Sequence, residues 1–160
     1  MKNFPSHDGP PQAGGAAPFS HGAYAARTAL RGETIAALDL GTNNCRLLVA
    51  RTNGNAFRVI DAFSRITRLG EGLATTGALS SAAMSRTIDA LAVCATKIAH
   101  RGARRGRYVA TEACRRAENC SAFLDRVRRA TGLDLEIIPT HEEARLAVTG
   151  CAPLLDPQVP

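Results

Sequence analysis

Three short segments combine residue types that can handle phosphate. In "LDLGTNN", residues 38–44, an apolar run ends on Asp39 and is followed by Gly41, Thr42, Asn43 and Asn44, with Arg46 just beyond. A glycine turn with short polar neighbours can turn backbone amides and hydroxyls toward an anion. Asp39 could hold Mg²⁺ through water, and Arg46 could neutralise the same phosphate. The same string is also that of an ordinary hairpin turn. In "IIPTHEEAR", residues 137–145, Glu143 stands where a carboxylate could orient and deprotonate a water for attack on phosphorus. Thr140 and Glu143 also have the spacing of a capping box, which is the plainer reading of the spacing alone. In "VATEACRRA", residues 109–117, a strand runs out at Thr111 and Glu112 before a helix with Arg115 and Arg116, and that helix start could receive an anion.

The elements that must position these segments are legible from period and punctuation. "TIAALDL", "CRLLVART" and "AFRVIDAF" have the length and apolarity of buried strands, and the Asn53–Gly54 turn joins the second to the third as a hairpin. Met84, Ile88, Leu91, Ala95 and Ile98 recur at helical spacing, predicting a helix over 80–100 with Ser80 as N-cap. "RYVAT" reads as a fourth strand. A helical region follows, with Phe123, Leu124, Val127 and Ala130 on one face and Gly132 closing it. "DLEIIP" is a fifth strand and "THEEARLAVTG" a last helix. The order β-β-β-α-β-α-β-α predicts an α/β domain: an antiparallel meander extended by parallel strands into a mixed five-stranded sheet. All three polar segments then fall at strand ends.

Length and composition bound the rest. A chain of 160 residues with 45% hydrophobic content fits one domain with an ordinary core. Residues 1–33, rich in glycine and proline, read as a disordered tail. No window reaches the roughly 18 uninterrupted apolar residues of a membrane span, and the N-terminus lacks an apolar signal core, so a cytoplasmic protein is expected. Five cysteines without a C-x-x-C pair support neither a disulfide framework nor a zinc site. The net charge of +6 is concentrated in arginine clusters at 101–107, 114–116 and 126–129, against only two lysines, Lys2 and Lys97. Arginine's planar fork suits phosphate, whereas a solvated basic face is the bland alternative. With 4% aromatic residues and no Trp, little is available for stacking on bases, so nucleic acid is a poor candidate partner.

From about residue 34 to 155 the chain resembles the first domain of the exopolyphosphatase and guanosine pentaphosphate phosphohydrolase family. The resemblance rests on "ALDLGTNNCRLLVAR", "TRLGEGL" with "GALS", "VATEACRRAEN", "FLDRVRRATGLDLEII" and "EEARLAVTG", in the family's order. It implies a ribonuclease H-like domain of the actin-like ATPase type. It also implies hydrolysis of terminal phosphoanhydride bonds in polyphosphate or guanosine pentaphosphate, with Mg²⁺. "DLGTNN" matches the family's first phosphate loop, with Asn44 in place of its usual second serine. Arg46 falls on a common family arginine and Glu143 on the catalytic glutamate, which favours catalysis over the capping box. The family's second phosphate loop is not reached before Pro160. The chain is therefore expected to be an N-terminal half with residues 156–160 as a truncated end, either partnered by a missing C-terminal half or a homodimer. A non-catalytic fragment that binds polyphosphate or the alarmone is the alternative.

Overall fold

A computed structural model describes residues 32–54 and 56–152, so the end expected at 156–160 and all but the last two residues of the tail expected over 1–33 lie outside the described residues; of those two, Glu33 is tied to β2, its carbonyl accepting from the Thr52 amide at 2.9 Å. Strands β1 (Thr34–Leu40), β2 (Asn44–Asn53) and β3 (Ala56–Ile66) form the meander, with Gly54 at φ +59° in the β2–β3 turn. A short helix α1 (Leu73–Thr76), absent from the sequence expectation, precedes α2 (Ser81–His100). Strand β4 (Arg105–Ala110) leads into α3 (Glu112–Arg116) and α4 (Cys120–Thr131); β5 (Glu136–Ile137) leads into α5 (Thr140–Cys151). The sheet order is β3-β2-β1-β4-β5, antiparallel among the first three strands and parallel from β1 through β4 to β5.

Helices α2 and α4 cover one face of the sheet. Ala36, Leu38 and Leu40 of β1 and Cys45, Leu47 and Val49 of β2 alternate into that face and meet Met84, Leu91, Phe123 and Val127. Each of the larger apolar side chains buried here stabilises the fold by roughly 1.5–3 kcal/mol. Ser80 caps α2 as expected, its Oγ accepting from the Ala83 amide at 3.2 Å. Gly132 at φ +72° closes α4, its amide donating to the Arg128 carbonyl.

Several expectations need correction. β1 and β2 are not buried on both sides: Ala37, Asp39, Arg46 and Leu48 point to an open face, where a groove of about 700 Å³ also touches Leu146 of α5. The helical region after β4 is two helices, because Ala117 takes an extended conformation between them. Ala130 is exposed, and β5 pairs over only two residues. Helix α5 buries none of its residues fully.

Candidate active site

The C-terminal ends of β1, β4 and β5 are tied level with one another. The Thr111 amide donates to the Leu40 carbonyl at 3.1 Å, and the Ile138 amide to the Ala110 carbonyl at 3.1 Å. Everything that follows those strands therefore gathers at one edge: the 41–43 turn, α3 and the start of α5. The segments singled out in the sequence meet there.

The turn itself is tight. Gly41 donates to the Asn44 carbonyl at 2.9 Å, so its amide closes the hairpin and is not free for a ligand. Its φ is not in the left-handed region, and an added Cβ would meet only Asn44 O at 3.5 Å, so the turn does not force glycine here. The carbonyls of Thr42 and Asn43 are drawn toward the segment that follows β3: Thr42 O accepts from Gly70 at 3.0 Å, and Asn43 O from Thr67 at 2.8 Å and Arg68 at 3.0 Å. In a trans peptide the next amide points the opposite way, so the Asn43 N–H faces away from that segment. The amides of Thr42 and Asn43 have no backbone or side-chain partner among the described residues. An anion can take them.

Asp39 and Arg46 lie directly opposite each other across the β1–β2 pair, both on the open face. Asp39 is exposed as a residue, yet its carboxyl sits down among apolar neighbours of the groove. That partial burial raises its pKa from the ordinary carboxylate value; Arg46 works against the rise, and the charge of Glu143 adds to it. A carboxylate held up by burial and a like charge gains from a nearby cation. Among the described residues no three or more metal-ligating side chains cluster, and Asp39 is the carboxylate that lines the groove.

Glu143 is placed by Arg115, not by a capping box. The N-cap of α5 is Pro139 and makes no side-chain cap; Thr140 is already helical, which removes the S/T-x-x-E geometry. Instead Nη1 and Nη2 of Arg115 both donate to Oε2 of Glu143 at 3.0 Å. Arg115 is fixed in turn by Ile138 O at 2.7 Å and by Glu112 Oε2 at 2.9 Å. Oε1 of Glu143 has no partner among the described residues, and its side chain is 44% exposed, so that oxygen can accept from a water. Glu142 next door differs. Both of its oxygens are engaged by Arg145, and Arg107 adds a third bond, which pulls its pKa down to about 2. Helix α3 does not offer an anion site as expected, since it has five residues, Glu112 in its first turn and Arg115 already committed to carboxylates. The link from Arg115 to Glu143 spans 28 positions, and nothing local in the sequence announces it.

A family model for the Ppx/GppA phosphatase family matches residues 48–159. The chain belongs to that family. The match takes in Arg115 and Glu143, whereas Asp39 to Arg46 lie ahead of it. A guanosine-5'-triphosphate,3'-diphosphate pyrophosphatase of Photobacterium profundum is 33% identical over 117 residues, 73% of this chain and 24% of that protein. Among solved structures, an Aquifex aeolicus Ppx/GppA enzyme superposes with a TM-score of 0.73 at 35% identity, covering 79% of this chain and 42% of its own. An exopolyphosphatase from Cytophaga hutchinsonii gives 0.69 at 25% identity, covering 71% and 36%. These neighbours bear out the ribonuclease H-like, actin-like fold. The chain spans about a quarter of the curated relative and about two-fifths of the family structures.

Proposed function

We propose that this domain binds the terminal phosphate of inorganic polyphosphate or guanosine pentaphosphate and supplies the carboxylate that activates water for its hydrolytic release. The observation that carries the reading is Glu143, held by Arg115 through one oxygen and open at the other, on the same sheet edge as the unpartnered amides of Thr42 and Asn43. The relatives named above, a pyrophosphatase and an exopolyphosphatase, act on phosphoanhydrides of these kinds by name.

The chemistry assigns each group a task. The amides of Thr42 and Asn43 and the guanidinium of Arg46 bind oxygens of the terminal phosphoryl group. Glu143 Oε1 accepts a proton as a water oxygen bonds to phosphorus; the bridging P–O bond breaks and its electron pair leaves on the shortened chain, releasing orthophosphate. A positioned base of this kind contributes about 10² to 10⁴ in rate. Asp39 would hold Mg²⁺, which when bound supplies positive charge to the phosphate oxygens.

Orthophosphate release from polyphosphate in the presence of Mg²⁺, together with direct binding of polyphosphate, tests this. Glu143→Gln should leave binding in place and lower release by about 10² or more. Release by Glu143→Gln equal to that of the parent chain would overturn the catalytic assignment. Binding by the parent chain without any release would favour a polyphosphate- or alarmone-binding role.

A further inference from the structure

At the end of the sheet opposite the 41–43 turn, cations outnumber carboxylates. Strand β1 starts there, and neighbouring segments bring basic side chains level with its first residues. Arg51 of β2 stands opposite Thr34, Arg58 of β3 stands opposite Arg51, and Arg105 of β4 is level with Ile35. Helix α2 ends at the same level, because its Lys97 and the following Arg101 both bind Asp61 of β3 at 2.8 Å. Arg104 lies in the short link from that helix into β4.

Ion pairing satisfies only part of this charge. Asp61 takes Lys97 and Arg101, and Glu33 takes Arg105 at 3.1 Å. Arg51, Arg58 and Arg104 have no ion pair or side-chain hydrogen bond among the described residues; Arg58 and Arg104 are exposed, and Arg51 is half-buried. Like charges directly opposite each other on an antiparallel pair destabilise it, so the fold gains nothing from setting Arg51 against Arg58. An anion bound between them removes that repulsion. Arg104, together with Arg105 and Arg107, also lines a cleft of about 630 Å³ that reaches Thr52, the residue after Arg51.

Distance separates this end from the proposed hydrolytic site. Strand β1 has seven residues, which at ~3.3 Å per residue puts about 20 Å between its ends. The Debye length at physiological ionic strength is about 8 Å, so the field of these arginines is screened at the 41–43 turn. They act on an anion only by touching it. Several guanidinium forks in one place suit a chain of phosphates. Nucleic acid is the poorer fit: Phe57 is exposed beside Arg58 but points to the other side of the strand, so it offers these arginines no stacking platform.

We infer that Arg51, Arg58 and Arg104 form a second docking surface, which holds the body of a long polyphosphate chain away from the hydrolytic edge. The choice of polyphosphate as the polyanion rests on the proposed function.

The test uses long-chain polyphosphate, tripolyphosphate and single-stranded DNA as binding probes, with the intact chain and its Arg51→Ala/Arg58→Ala, Arg58→Glu, Arg104→Ala and Arg46→Ala variants. Arg51→Ala/Arg58→Ala should weaken long-chain affinity about tenfold or more and reduce its salt dependence, while tripolyphosphate affinity stays unchanged. Arg104→Ala should lose a smaller share in the same direction. Arg58→Glu should lose long-chain affinity with a melting temperature equal to or above the parent's, because it sets opposite charges across the strand pair; this separates anion contact from folding. Long-chain affinity intact in Arg51→Ala/Arg58→Ala while Arg46→Ala loses both phosphate probes would overturn the docking surface alone. Equal losses of tripolyphosphate and long-chain affinity in Arg51→Ala/Arg58→Ala would also overturn it, in favour of a general charge effect. Single-stranded DNA bound as tightly as long-chain polyphosphate through the same arginines would replace polyphosphate as the partner. If Arg46→Ala changes binding of neither phosphate probe, the proposed hydrolytic site falls, whereas a long-chain loss confined to Arg51→Ala/Arg58→Ala still upholds the docking surface.

Discussion

Replacing Arg115 by methionine keeps much of the side chain's apolar stem and removes its four hydrogen bonds: one to Ile138 O, two to Glu143 Oε2 and one to Glu112 Oε2. The magnitude follows from exposure. Arg115 is 18% exposed, but Glu112 and Glu143 are 49% and 44% exposed, so both carboxylates rehydrate when the guanidinium leaves. Pairs of that kind contribute about 0.2–1 kcal/mol each, and the bond to the Ile138 carbonyl about 1 kcal/mol, giving a loss of about 2 kcal/mol. For a domain of this size that lowers the melting temperature by roughly 6–10 °C. The kinetic effect should be larger. A carboxylate freed from its clamp samples several rotamers, and misplacement of a reacting group by about 1 Å costs on the order of 10²-fold. Urea titration and orthophosphate release below the melting transition measure the two effects separately. The loss should fall on kcat, since Arg115 is a positioning residue turned toward Glu143. Arg115→Met with lowered stability and unchanged kcat would refute the clamp and leave Arg115 as a tie between α3 and α5.

Arg46→Ala should weaken polyphosphate binding more than Arg128→Ala does, because Arg46 faces the groove beside Asp39 whereas Arg128 is paired with Asp134 on exposed surface; filter binding at two salt concentrations distinguishes a close contact from a screened field. Asp39→Asn should raise the melting temperature at pH 7 while weakening the Mg²⁺-dependent part of phosphate binding. The sign follows from the raised pKa: ionised Asp39 is disfavoured in the fold, so stability grows as pH falls through the folded pKa toward the ordinary value. Asp61 works in the opposite direction. Hydrogen bonds from Lys97 and Arg101 hold its pKa at about 2, so its tie between β3 and α2 is intact above pH 4 and is lost between about pH 4 and 2; Asp61→Asn should flatten that part of a pH–stability curve. Gly70→Ala should push Thr42 out of its rotamer and lower phosphate affinity at little cost to the core, as calorimetry would record.

How far the sequence speaks depends on whether the determinant is local. Ser80 as a cap and Gly132 as a terminator were legible because each acts on backbone within four residues. The meander and the parallel extension followed from run lengths and punctuation. The open face of β1 and β2 was not legible, because Ala37 and Leu48 are as apolar as their buried neighbours and only the placement of helices decides which side is covered. Asp39, the 41–44 turn and Arg46 fall together through β-pairing between adjacent segments, so their convergence could be read. What holds Glu143 could not, since spacing suggested Thr140 whereas the clamp comes from Arg115 on another helix.

Helix α5 carries Glu143 yet leaves every residue at least partly exposed, and its ties to the rest are concentrated in Glu142 and Glu143 at its first turn. Amide hydrogens in such an element exchange through local opening at far lower free energy than those of α2, whose buried side chains lock it to the sheet. The carboxylate proposed to activate water thus rides on a segment that opens more easily than α2. A ligand that touches both Glu143 and the 41–43 turn draws its affinity from only the closed fraction of molecules, and in return slows α5 exchange. Deuterium uptake along α5 is therefore a direct gauge of site occupancy, and substitutions that merely glue α5 to the sheet should tighten binding without adding a single contact to phosphate.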